Sequence, residues 1–158
     1  MALFDIFSKR RTFLPIYQQA WAAIRPHLAP EPAGDDEVAA RLALFYLASL
    51  LYSTVYQACV AAGMTTSSAY SMARGHLSKA PFGEDLRLAV NAIFLAEEGS
   101  RERRYAEVLQ ASVARVVMAI AAGRPLEGVA VKAELMELAR FFAAIDFARD
   151  GLYPPAPA

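Results

Sequence analysis

The chain has 158 residues, 56% of them apolar, and its 16 basic residues balance 16 acidic ones to a formal net charge of zero. One domain is expected at that length, and it can bury about two thirds of the surface its unfolded form exposes, so it needs no disulfide or structural metal. Extended disorder is excluded by the apolar content, and charge balance removes the electrostatic basis of broad nucleic-acid binding.

Cys59 is the single cysteine. It rules out an intramolecular disulfide and any multi-cysteine zinc or iron–sulfur site, and it fits a reducing, cytoplasmic compartment. Lysine occurs only at Lys9, Lys79 and Lys132, and alanine is abundant, which points to a GC-rich bacterial coding sequence.

The first residues, MALFDIFSKRR, do not read as a secretory signal, because the charge follows a short apolar stretch. Ala2 excludes N-myristoylation, and PAPA at the other end carries no lipidation motif. Residues 1–12 set Leu3, Phe4, Ile6 and Phe7 ahead of Lys9, Arg10 and Arg11, an amphipathic arm. The arm can cap a core or meet a partner; contact with a membrane surface is the second reading.

A first helix is predicted from about Leu14 to Leu28, with Pro15 in its first turn and Tyr17, Ala20, Trp21, Ile24 and Leu28 at helical spacing. APEPAGDD follows as a loop, and Asp35 or Asp36 can cap the next helix. That second helix should run from Glu37 to Ala62, closed by Gly63. TTSS offers N-caps for a shorter helix near Ser67 to Ser78, before Pro81 and Gly83 break the chain.

Glu84 and Asp85 open a fourth helix, with Leu86, Ala89, Val90, Ile93 and Phe94 as its apolar positions. Gly99 marks a break and Ser100 a cap. The fifth helix carries a face of Tyr105, Leu109, Ser112, Val113, Val116, Val117 and Ile120, ended by Gly123 and Pro125. A last helix is predicted over 131–149, with Leu135, Leu138, Phe142 and Ile145 on one side, before a Pro-rich tail at 151–158.

From Leu42 to Ala73 there is no Asp, Glu, Lys or Arg. The helical part of that gap is long enough to span a membrane. Ser49, Tyr52, Ser53, Thr54, Tyr56 and Gln57 in its middle and C-terminal half argue against lipid. A helical wheel separates an aliphatic stripe (Leu44, Leu47, Leu51, Val55, Ala58, Ala62) from an aromatic and hydroxyl one containing Phe45, Tyr46, Ser49, Tyr52, Ser53 and Tyr56. The aliphatic stripe is expected to face the core. The tyrosine stripe either meets neighbouring helices of the same chain or supplies a contact surface.

Converging titratable groups are few. His27 and His76 stand apart, and there is no HExxH, GxSxG, GxGxxG or P-loop pattern. No metal or cofactor is therefore expected. Cys59 in an apolar helix reads as a packing residue rather than a nucleophile. Asp146 and Arg115 are lone charges on apolar stretches and are expected to pair between helices or to lie on a polar edge. Asn91 is expected to bond across helices, and EEGSRERR (97–104) reads as a solvated corner.

ACVAAGMTTSSAYSMARGH (58–76) resembles a helix-turn-helix, with Gly63 at the turn and Ala69 and Met72 inward. In that motif the second helix enters the major groove, which would assign Thr65, Thr66, Ser67, Ser68 and Ser71 to polar contacts and Arg74 to phosphate. The stretch departs from the pattern in having no basic residue before Arg74 and an unusually long first helix.

The chain is thus expected to be an all-α, single-domain bundle of five to six helices around the uncharged one, spanning 13–150. The favoured function is non-enzymatic protein–protein interaction, as a homodimer or with a partner, through Tyr46, Tyr52, Tyr56 and Gln57 or through Leu3, Phe4 and Phe7. A helix-turn-helix DNA-binding regulator using Thr66, Ser67, Ser71 and Arg74 is the first alternative. A bundle that binds an apolar ligand is the second.

Overall fold

The computed structural model describes residues 2–25, 37–124 and 133. Five helices are described: α1 (Ala2–Ile24), α2 (Glu37–Ala61), α3 (Thr66–Lys79), α4 (Glu84–Phe94) and α5 (Arg101–Ala121). The protein is all-α, and α2 is its axis, touching α1, α3, α4 and α5. The helix predicted over 131–149, including Asp146, lies outside the described residues, as does His27.

The uncharged stretch is explained by that position. Phe45, Ala48, Leu50, Leu51, Tyr52, Val55, Ala58 and Cys59 of α2 are all buried, and so are Ser49, Ser53 and Thr54. A helix covered over most of its circumference leaves little place for a charge. The window Leu44–Ala61 is long and apolar enough to cross a membrane, with mean hydropathy 1.4, but 67% of it is buried against the chain's own helices. The Ser49, Ser53 and Thr54 hydroxyls are satisfied internally. Ser49 Oγ donates to the Phe45 carbonyl at 2.8 Å and Thr54 Oγ1 to the Leu50 carbonyl at 2.7 Å. Gln110 Oε1 on α5 accepts from Ser53 Oγ at 3.1 Å and from Gln57 Nε2 at 2.6 Å.

The expected break between an N-terminal arm and the first helix is not found. α1 is continuous from Ala2, and Pro15 lies inside it rather than in its first turn. A proline there removes one helical hydrogen bond, a cost of about 3 kcal/mol in an isolated helix. Burial of Phe13, Ala20 and Ile24 against the core holds the helix through it. The side chains of Leu3, Phe4 and Phe7 lie outside the described residues.

The other boundaries follow local chemistry. Gly63 (φ +80°), Gly99 (φ +82°) and Gly123 (φ +66°) occupy the left-handed region that ends helices cheaply. Thr65 caps α3 by accepting from the Ser68 N–H at 3.3 Å, and Ser100 caps α5 by accepting from the Arg103 N–H at 3.1 Å. The predicted faces of α4 and α5 are turned inward: Leu86, Val90, Ile93 and Phe94, then Tyr105, Leu109, Ser112, Val113, Val116 and Val117, are buried.

His76 of α3 is clamped by α1. Its ring meets Phe13 edge-on at 5.8 Å and Tyr17 at 5.1 Å. Burial, and then the nearby Lys79 ammonium, hold its pKa below the ordinary 6.5. The unfolded chain therefore takes up the proton more readily. This contribution to stability is fully present above the unfolded value and is lost as pH falls toward the folded one. Thermal midpoints between about pH 7.5 and 5.5 should fall more steeply for the native chain than for His76→Phe, which keeps the aromatic packing. Parallel slopes would show that another group titrates in that window.

Candidate functional site

The tyrosine stripe proposed as a contact surface is turned inward. Tyr52 is fully buried, with its ring stacked on Phe94 of α4 at 4.4 Å, and Tyr46 is buried with it. Tyr56 is half-buried against Tyr70 of α3 at 4.8 Å, and Gln57 is tied to Gln110. The physical reason is that α2 packs against four helices, so its second stripe meets α3, α4 and α5 rather than solvent. The Cys59 thiol is buried too, and burial pushes its pKa up to about 12. It stays protonated at neutral pH and is a packing group.

The second helix of the helix-turn-helix stretch behaves differently. On α3, Ala69, Ala73 and Leu77 are buried, while Thr66, Ser67, Ser71, Arg74 and Ser78 are exposed. The spacing 67, 71, 74 and 78 places four of these on one outward strip.

Beside that strip a groove of about 460 Å³ opens between α3 and α4. Each wall is one helical strip at i, i+3, i+4, i+7. Ser71, Arg74, Gly75 and Ser78 come from α3; Glu84, Arg87, Leu88 and Asn91 come from α4. Residues 80–83 carry the chain from one helix to the next.

Arg87 spans the mouth, its Nη1 donating to the Ser78 carbonyl at 3.1 Å. That bond covers one of the orphan carbonyls at the C-terminal end of α3, where a cation is also favoured by the helix dipole. It leaves other guanidinium donors uncommitted. Asn91 was expected to bond across helices. Instead its Oδ1 is buried with no hydrogen-bond partner.

Behind the groove sits a cluster of phenols and cations. Burial raises the pKa of Tyr52; the Tyr70 phenol beside it adds to this and the Arg74 guanidinium opposes it. The Tyr52 hydroxyl is buried without a hydrogen-bond partner. Arg103, near the start of α5, lies beside the Tyr70 phenol, donates to the Phe94 carbonyl at 3.3 Å and pairs with Glu107 at 3.4 Å.

Reading the sequence alone missed Glu84 and Arg87 and treated Asn91 in isolation. The available signal was the matching polar strips on two consecutive helices joined by a short turn. Among the described residues, no group of three or more His, Cys, Asp or Glu side chains converges as a metal site would require. The groove offers hydrogen-bond donors, acceptors and two cations, a lining suited to a polar ligand more than an apolar one. Compared with known proteins, the chain matches no family model, no curated protein and no solved structure, so what it does has to be argued from its own residues.

Proposed function

We propose that the chain is a non-enzymatic helical module that self-associates through the outer face of α4. One observation carries this reading. Leu86, Val90, Ile93 and Phe94 of α4 are buried, yet Leu88 and Leu95 on the outer side are 61% and 56% exposed, with Ala92 exposed between them. These three recur at i, i+4 and i+7 along the outer side of α4 and its C-cap, beyond the exposed Glu84 and Asp85 of its first turn. Exposed apolar patches mark contact sites.

A second copy supplies the simplest cover, because a two-fold contact needs one self-complementary patch and no further gene product. A patch of this size makes a small interface and a weak dimer. The mass from light scattering should therefore rise from monomer toward dimer between about 10 μM and 1 mM. Leu88→Glu combined with Leu95→Glu should hold it at the monomer value with helical content unchanged. A strictly monomeric native chain across that range would overturn the reading.

The exposed strip Thr66, Ser67, Ser71 and Arg74 favours a second reading, DNA contact through α3. It would show as duplex binding that weakens steeply with salt and is lost in Arg74→Ala.

A further inference from the structure

We propose that the groove between α3 and α4 binds a small anion that also carries hydroxyl groups, such as a sugar phosphate or a hydroxycarboxylate, with Arg74 and Arg87 holding the anionic end and Asn91 receiving a hydroxyl. The groove and the self-association face share Leu88, while Arg74 and Gly75 belong to α3 and lie off that face.

Size is the first argument. The open groove, of about 460 Å³, has room for a small molecule. Charge is the second. Two guanidinium groups stand on opposite walls against one carboxylate, Glu84, so the lining is net cationic in a chain whose total charge is zero. Arg74 is exposed and forms no ion pair among the described residues. Arg87 is already oriented by the Ser78 carbonyl, so little ordering remains when it meets a ligand. Guanidinium forks match phosphate and carboxylate oxygens better than any other side chain.

Asn91 supplies the third argument and narrows the class. Its Oδ1 is buried without a partner in the ligand-free chain, at a cost of about 1–3 kcal/mol, and because solvent does not reach that atom the amide turns toward the groove when it receives a hydroxyl. Bare anion oxygens do not answer it, because they only accept. A hydroxyl can donate to the amide oxygen, or accept from the amide nitrogen if the two ends are exchanged. Glu84 is a second acceptor for such hydroxyls. Gly75 keeps the α3 wall open: a Cβ built there meets nothing within 4 Å.

The test is calorimetric titration of the full chain with ribose 5-phosphate and with citrate, against ribose and inorganic phosphate as controls. At least one of the hydroxylated anions should bind with a dissociation constant below about 1 mM, and more tightly than inorganic phosphate. Ribose should not bind. Arg74→Gln should weaken binding at least about tenfold. Gly75→Leu, which fills the groove from an open position, should abolish it.

Asn91→Leu separates ligand binding from structure. It should erase the preference for the hydroxylated anion over inorganic phosphate, while the thermal midpoint of the free protein stays level or rises. A merely structural asparagine would lower that midpoint. Three results would overturn the proposal: no binding of either hydroxylated anion at about 10 mM, binding indifferent to Arg74→Gln, or inorganic phosphate binding as tightly as both. Binding confined to duplex DNA would assign Arg74 to the nucleic-acid reading and overturn it equally.

Discussion

Tyr52→Ala is expected to lower the unfolding free energy by about 3–5 kcal/mol, the cost of emptying a large aromatic from a packed core. Tyr52→Phe is expected to leave it unchanged or raise it. Tyr52 is 0% exposed, and its ring stacks on Phe94, so truncation opens a cavity at the junction of α2 and α4. The hydroxyl contributes no hydrogen bond that would offset its desolvation. Removing it alone deletes a buried polar atom and keeps the ring.

Urea midpoints with unchanged slopes would read both effects. A Tyr52→Ala loss under about 1 kcal/mol would mean that the stripe is at the surface after all. A Tyr52→Phe loss above that size would mean that the hydroxyl has a partner. Tyr52→Glu extends the argument. On an exposed contact face it would be tolerated, whereas in this core it should be strongly destabilising, because a carboxylate there loses its solvent and the nearby Arg74 guanidinium offsets only part of that cost.

The contrast between α2 and the helix ends shows what a single sequence exposes. Caps are local chemistry, so Thr65, Ser100, Gly63, Gly99 and Gly123 were legible from their own few residues and lie at helix ends as expected. Pro15 misled for the same reason: a local rule placed it in a first turn, and packing of Phe13, Ala20 and Ile24 carried the helix through it. A helical wheel finds which side chains share a face, but it does not say which face is covered. On α2 the absence of charge was a better guide than the two stripes, because it meant neighbours along both of them, with Leu44 and Val60 left exposed.

The groove was hidden for a different reason. Its walls are ordinary amphipathic strips, and nothing in α3 alone distinguishes Arg74 as a groove residue from Arg74 as a phosphate contact. Only the approach of α4 brings Arg87 and Asn91 to face it. What was legible was the chemistry of each residue; what was not was the juxtaposition.

Two charges placed in the same uncharged stretch should have opposite outcomes. Leu44 and Val55 both lie on the aliphatic stripe of α2, three turns apart, yet Leu44 is 48% exposed and Val55 is 0% exposed. Leu44→Glu should change the urea midpoint little, within about 0.5 kcal/mol, since glutamate is a good helix former and solvent reaches the site. Val55→Glu should cost about 5 kcal/mol or more at neutral pH, because the side chain is both too large for the space and unpaired. A domain of ordinary stability has about 5–15 kcal/mol in total, so most of the chain should be unfolded at room temperature.

The pH dependence of Val55→Glu gives a second readout. Burial raises the carboxyl pKa in the folded state, so the variant should be most stable below the unfolded value of about 4.3 and lose stability as pH rises from there through the raised folded value. If α2 spanned a lipid bilayer instead, the two substitutions would fail together, since Leu44 would then face hydrocarbon or another helix. A tolerated Leu44→Glu beside a destructive Val55→Glu would show that the gap in the charge pattern records burial by the chain's own helices, residue by residue.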